Sequence, residues 1–438
     1  MTELLKQLAL YAPAQGTLLS RFAELSRFTR AESRFTQADR AEELAQELAL
    51  LLRWLLETAE TEGWEGNLWQ MLLTRQLLCT ENPYSLACEG RSDPGGSLSR
   101  LAGRELSLMR ELFAWDFGGL RDLHGGAALE ELLDFQRGDR TEVPSGSLLG
   151  EYRDRLAAAG NDADFTALVS GFYREQGAGV FALDRAFRLS EQGALLPLRG
   201  LSCAPLSALV GYELQKKQLR ENTEAFLAGW EANNVLLYGD AGTGKSTCVR
   251  ALLREYAGSP LRMVEVRKSQ FRLLPELLER LRRRNYRFIL FIDDLSFEEH
   301  ETEYKELKAV IEGGLSPLPQ NLRIYATSNR RHIVRELWSD RSDMEHDGDV
   351  HRSDTMEEKL SLAERFGIGI NFSAPDRRLY HEIILELARR QLPVMPEESA
   401  LLLGADAWEI RHGGVSGRVA QQYIDHLAGK AAEQTGTK

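Results

Sequence analysis

Gly239-Asp240-Ala241-Gly242-Thr243-Gly244-Lys245-Ser246 is the stretch whose reading decides the fold, because it fits the spacing G-x-x-x-x-G-K-S/T. Ahead of it, Asn234-Val235-Leu236-Leu237-Tyr238 is a short apolar run with the character of a buried parallel strand. Behind it, Val249, Leu252, Leu253 and Tyr256 recur at helical spacing until Gly258-Ser259-Pro260 stops them. Strand, glycine-rich loop and helix in this order form a phosphate cradle: the glycines let successive N–H groups turn inward, and the helix adds its positive end. Lys245 then reaches the β- and γ-phosphates and the Ser246 hydroxyl holds Mg²⁺, with Gly239 through Thr247 as the binding segment. A glycine-rich turn without function shares the spacing but does not require both flanks.

The chain of 438 residues is too long for one ordinary core, so two or three domains are expected. Hydrophobic content of 43% and charged content of 27% are those of a globular protein. A net charge of −12 excludes a broadly basic, DNA-coating surface but leaves room for a local basic groove. Cys79, Cys88, Cys203 and Cys248 lack metal-ligand spacing, which points to a reduced, cytoplasmic setting. The N-terminus shows no signal-peptide pattern. Leu44 to Leu56 is interrupted by Gln46, Glu47 and Arg53, so a buried helix is expected there and no membrane anchor.

Residues 1–195 read as a mainly α-helical domain. Leu4 to Tyr11, Ala41 to Glu60, Trp69 to Cys79, Ser99 to Phe113 and Ala127 to Phe135 carry apolar residues at three- and four-residue spacing, with Arg100 and Glu105 on a polar face. Breakers such as Asn82-Pro83 and Asp93-Pro94-Gly95-Gly96 separate them. Trp54, Trp64, Trp69 and Trp115 are expected as core or interface anchors, and His124 as a turn residue. Phe181 to Leu189 reads equally as strand or helix. Residues 196–230 read as a linker that ends in a helix opening at Leu209-Val210-Gly211-Tyr212.

Past the loop, strands and helices alternate through residues 231–373, the pattern of a parallel sheet covered on both faces. Leu261 to Val266 is a strand, and Leu274, Leu277, Leu278 and Leu281 line one face of a helix. Arg280, Arg282, Arg283 and Arg284 end that helix, where cations oppose the helix dipole; a nucleic-acid patch is the rival reading. Arg287-Phe288-Ile289-Leu290-Phe291-Ile292-Asp293-Asp294 is an apolar strand ending in two carboxylates. Downstream of a phosphate loop, that places Asp293 to hold the metal and Asp294 to orient or deprotonate water. The strand Leu322 to Thr327 ends in Ser328-Asn329, where an amide suits a γ-phosphate and also suits an ordinary turn. Ser339 to Glu357, with His346 and His351 among aspartates, reads as a hydrated insertion rather than a metal site.

Together these residues resemble the AAA+ ATPases, and the span from about Leu209 to Ala420 is similar to the bacterial DUF815 family. The resemblance is carried by Val235 to Asp240, Ile292 to Glu298, Tyr325 to His332 and Glu358 to Gly367, and Glu81-Asn82-Pro83-Tyr84-Ser85 is similar too. It implies a five-stranded parallel core of order 5-1-4-3-2, with Asn329 as a first sensor and Val210 and Gly211 beside the adenine. It also implies Arg365 as an arginine finger for a neighbouring subunit, worth roughly 10³–10⁵ in rate when supplied in trans. A helical lid over residues 374–438 would then carry Arg418, in Gly414-Val415-Ser416-Gly417-Arg418, as a second sensor. Without the resemblance, Arg365 and Arg418 read as surface arginines. One departure stands out: most AAA+ members have Glu where this chain has Asp294. The shorter side chain slows hydrolysis unless Glu298 assists, although initiator-type relatives also carry Asp.

The expected function is an ATP- and Mg²⁺-dependent AAA+ ATPase, a homo-oligomer that binds ATP and ADP. It would couple turnover to the remodelling or regulation of a protein partner held by residues 1–195. A nucleic-acid-associated ATPase of the initiator or helicase-loader kind, and a slow nucleotide-gated switch, are the alternatives.

Overall fold

The computed structural model describes residues 1–28, 37–90, 94–115, 117, 128–138, 146–199, 204–297, 303–312, 318–329 and 365–435. The chain divides into two compact units, Met1–Arg185 and Ala186–Lys438. His124, Cys203, Glu298, the segments Arg330 to His332 and Glu358 to Glu364, and the insertion 339–357 lie outside the described residues.

The first unit is helical: α1 Thr2–Leu5, α2 Leu18–Phe28, α3 Gln37–Glu62, α4 Leu68–Cys79, α5 Pro83–Glu89, α6 Gly96–Phe113, α7 Ala128–Leu133, α8 Gly146–Ala157, α9 Asp162–Glu175 and α10 Val180–Leu183. Its core holds the fully buried Tyr11, Phe22, Trp64, Phe165, Phe172 and Tyr173. Trp69 packs edge-to-face on Phe22 and Phe117 at centroid distances of 5.8 and 5.3 Å.

Three expectations for this unit are corrected. The helix foreseen over Leu4 to Tyr11 stops at Leu5, because the N–H groups of Ala9, Leu10 and Tyr11 are claimed by the carboxylate of Glu105 at 2.9–3.2 Å. Glu105 is therefore buried inside α6 and not on a polar face. Trp54 is 40% exposed and Leu50 61% exposed, so α3 buries one stripe only.

The second unit is built on a seven-stranded sheet: β1 Ala186–Leu189, β2 Leu195–Pro197, β3 Val235–Gly239, β4 Leu261–Glu265, β5 Arg287–Ile292, β6 Leu322–Ser328 and β7 Ile368–Phe372. The order across it is β2-β1-β4-β5-β6-β3-β7. This corrects the five-stranded expectation. The hairpin of β1 and antiparallel β2 adds to the sheet, with β1 lying parallel to β4. The hairpin falls in the second compact unit, which begins at Ala186. Segment 181–189 is helix and then strand: α10 ends at Leu183 and β1 starts at Ala186.

All other pairings are parallel. The fully buried runs Val235–Leu237 and Phe288–Ile292 show why these strands carry no alternation: helices cover both faces. The helices of this unit are α11 Glu213–Leu227, α12 Lys245–Glu255, α13 Leu274–Arg282 and α14 Glu303–Glu312, followed by α15 Arg377–Gln391, α16 Glu398–His412 and α17 Gly417–Thr435. The last three pack on one another around Tyr380, Ile384, Ala405 and Ile424. Helix α17 continues through Thr435. Among the described residues no helix is long and apolar enough to cross a membrane, and no group of His, Cys, Asp and Glu forms a metal cluster. Among the described residues, no disulfide joins Cys79, Cys88 or Cys248.

Candidate nucleotide site

Strand β3 lies between β6 and β7, so the chain leaving its carboxyl end enters a crevice bounded by the tips of neighbouring strands. Three glycines make the turn possible. Gly239, Gly242 and Gly244 adopt φ of 130°, 76° and 91°, in the region that disfavours side chains. At Gly239 a Cβ would come within 2.3 Å of the Phe372 carbonyl oxygen, so the loop root has no space for one either. Thr243 closes the turn by donating from its hydroxyl to the Asp240 carbonyl at 2.8 Å. Helix α12 starts directly at Lys245, with its first amides facing the crevice end.

The side chains converge as the spacing requires. Lys245 is 6% exposed, and its ammonium donates to the carbonyls of Gly239 and Asp240 at 2.9 and 2.6 Å. Burial holds this ammonium below the usual lysine value, with Arg418 adding to the effect while Asp240, Asp294 and Asp293 oppose it. The Ser246 hydroxyl donates to Asp293 Oδ1 at 2.5 Å. Two residues that the sequence did not single out complete this carboxylate: Thr327 Oγ1 donates to the same Oδ1 at 2.6 Å, and the Arg250 guanidinium holds Oδ2 at 2.7 Å.

Asp294, in a left-handed conformation with φ of 54°, is fixed twice. Its N–H donates to Thr327 Oγ1 at 3.0 Å, and its Oδ1 accepts from Asn329 Nδ2 at 2.8 Å. The left-handed backbone is uncommon outside glycine, though aspartate tolerates it better than most residues.

These groups line a cavity of ≈ 850 Å³, together with Leu209, Val210, Gly211 and Tyr212 on one side and Ile383, Leu387 and Arg418 of the last three helices on another. A lining that combines apolar side chains with cationic and hydroxyl-bearing ones suits a molecule that is part flat ring and part anion. Arg418 reaches the loop through its own N–H, which donates to the Gly242 carbonyl at 3.3 Å. Gly242 to Thr247 line the cavity, while Gly239, Asp240 and Ala241 stand behind it. Asp240 faces away: its N–H donates to the Phe372 carbonyl at 3.0 Å and its Oδ2 accepts the Ala374 N–H at 2.6 Å. Arg365 is not brought to the cavity; it is ion-paired with Glu312.

Both missed residues carried a faint signal. Arg250 stands four positions after Ser246, on the same face of α12. Thr327 lies near the end of β6, two positions before Asn329.

The family described as "Protein of unknown function (DUF815)" matches residues 182–431, more than half the chain, and leaves Glu81 to Ser85 outside the match. No curated protein matches the chain. Among solved structures, RuvB of Thermotoga maritima, a Holliday junction branch migration motor, is similar at 18% identity and a TM-score of 0.35. That likeness covers 50% of this chain and 63% of RuvB, so less than two thirds of the RuvB chain is represented. The FIGL-1 AAA domain in complex with ADP is similar at 18% identity and a TM-score of 0.34, over 51% of this chain and 72% of that one. Likenesses this distant leave activity to be argued from the site's own chemistry.

Proposed function

Because the chain belongs to the DUF815 family, whose description assigns no function, we propose that it is an AAA+ protein that binds and hydrolyses ATP with Mg²⁺ and couples turnover to remodelling or regulation of a protein partner. One observation carries this reading. The phosphate-loop segment, a buried lysine and the Ser246–Asp293 pair line one cavity together with the apolar side chains of Leu209, Val210, Ile383 and Leu387.

The donor set fits the metal: a hydroxyl and a carboxylate oxygen 2.5 Å apart, both hard ligands, at the start of a helix. Bound by Ser246 and Asp293, Mg²⁺ would supply neutralisation of the triphosphate's charge. The chain's own residues do the rest. Lys245 exchanges its two carbonyl partners for phosphate oxygens. Asp294, held at Oδ1 by Asn329, keeps Oδ2 to orient or deprotonate the attacking water. Arg418 meets the γ-phosphate from the lid side, and Val210 and Gly211 border the base. Phosphoryl transfer asks for little covalent chemistry, so position and charge are most of the mechanism.

Arg365 serves a neighbouring copy in this reading, which makes the working form a homo-oligomer. A turnover per subunit that stays constant across a wide protein-concentration range would count against that role. The nucleic-acid alternative loses ground at the arginine cluster. Arg284 is buried against the Tyr286 ring and Arg282 pairs with Glu279 at 3.5 Å, so the two are not part of a free cationic stripe.

The test is titration of a fluorescent ATP analogue with Mg²⁺ into the parent and Lys245→Ala. The variant should bind at least about 10²-fold more weakly, the loss of a charge-assisted contact in a partly dry site. Equal binding by both proteins overturns the reading.

A further inference from the structure

Asp293 is held on both of its oxygens. Oδ1 accepts from Ser246 and Thr327 on the side that faces the phosphate loop, and Oδ2 is bound by Arg250 at 2.7 Å. The Arg250 guanidinium is itself steadied over the Phe291 ring, 5.5 Å from its centroid, and it lines the nucleotide cavity. A cation thus sits at the carboxylate that the function above assigns to the metal. No part of that function uses it.

We infer that Arg250 is the resident counter-cation of Asp293, a positioning residue that sets how strongly nucleotide binding depends on Mg²⁺. The inference rests on the nucleotide reading of this cavity. A triphosphate entering without metal meets the negative charge of Asp293, and the Arg250 guanidinium offsets that charge at hydrogen-bonding distance. With metal present, the carboxylate is compensated from the Oδ1 side and Arg250 matters less. Its contribution therefore falls on the metal-free complex.

The experiment measures dissociation constants of a fluorescent ATP analogue in EDTA and in excess Mg²⁺, for the parent, Arg250→Gln and Arg250→Lys. Gln keeps a planar, hydrogen-bonding end group on a shorter stem and removes the charge, whereas Lys keeps the charge at nearly the full reach. The metal-free constant of Arg250→Gln should rise by about tenfold, the size of an ordinary coupling between neighbouring sites, while the Mg²⁺ constant moves by less than about twofold. Arg250→Lys, which retains the charge, should restore most of the metal-free affinity. The same pair of measurements in an Asp293→Asn background identifies the route: with the carboxylate neutral, Arg250→Gln should no longer matter. An unchanged ratio of the two constants in Arg250→Gln overturns the inference. So does a tenfold loss that persists in the Asp293→Asn background, since Arg250 would then be touching phosphate directly. A parent that binds no nucleotide under either condition overturns the function itself, a result distinct from a parent that binds with an Arg250-independent ratio.

Discussion

Thr327 shows how much one hydroxyl can organise. It donates to Asp293 Oδ1 and accepts from the Asp294 N–H, so it sets both acidic residues relative to one another while 2% exposed. Thr327→Val keeps the shape and removes both bonds, leaving the part-buried Asp294 N–H and one Asp293 oxygen each short of a partner. Unfolding of the variant by urea should show a loss of about 1–3 kcal/mol, with turnover falling alongside. An unchanged midpoint and rate would show that the hydroxyl is idle. At this scale the sequence disclosed a great deal. Lys245, Ser246 and Asp293 are legible because a strand, a loop and a helix define them locally. Thr327 and Arg250 were not, because their partner Asp293 lies 34 and 43 positions away and only the pairing of β5 with β6 and the placement of α12 bring them in. Arg365 was singled out by resemblance alone, and the structure pairs it with Glu312, a residue with no motif to announce it.

Among the elements, the helices of the first unit follow their apolar spacing where side chains decide and depart from it where backbone groups find a better acceptor. Glu105 is that acceptor for residues 9–11. Glu105→Ala should cost the first unit about 1.5–3 kcal/mol, the range for hydrogen bonds to a charged group. Tryptophan fluorescence during denaturant unfolding would follow it, since Trp64 and Trp69 lie in the core of this unit. A midpoint equal to the parent's would mean that water replaces the carboxylate at no cost. Strands β1 and β2 illustrate the opposite failure. Ala186-Phe187-Arg188-Leu189 and Leu195-Leu196-Pro197 are too short for periodicity to separate strand from helix, and only the exposed edge of β4 selects strand.

At the scale of the molecule, the seven-stranded sheet locates the start of the second unit at Ala186. A fragment of residues 186–438 should bind the fluorescent nucleotide within about threefold of the full chain, well under the tenfold that 1.4 kcal/mol represents. A fragment of residues 196–438 loses β1, bares the backbone groups of β4 and should associate or precipitate, which light scattering would report. Equal behaviour of the two fragments would make the hairpin an ornament. The Asp240 carboxylate has a mechanical meaning as well. An acidic side chain in a loop made for anions would repel its guest, but this one is tethered to the Ala374 amide, where the chain leaves the sheet for its final three helices. Asp240 thereby rivets the loop twice to the chain between β7 and the final helices, through Phe372 and Ala374, so a displacement of either is felt by the other.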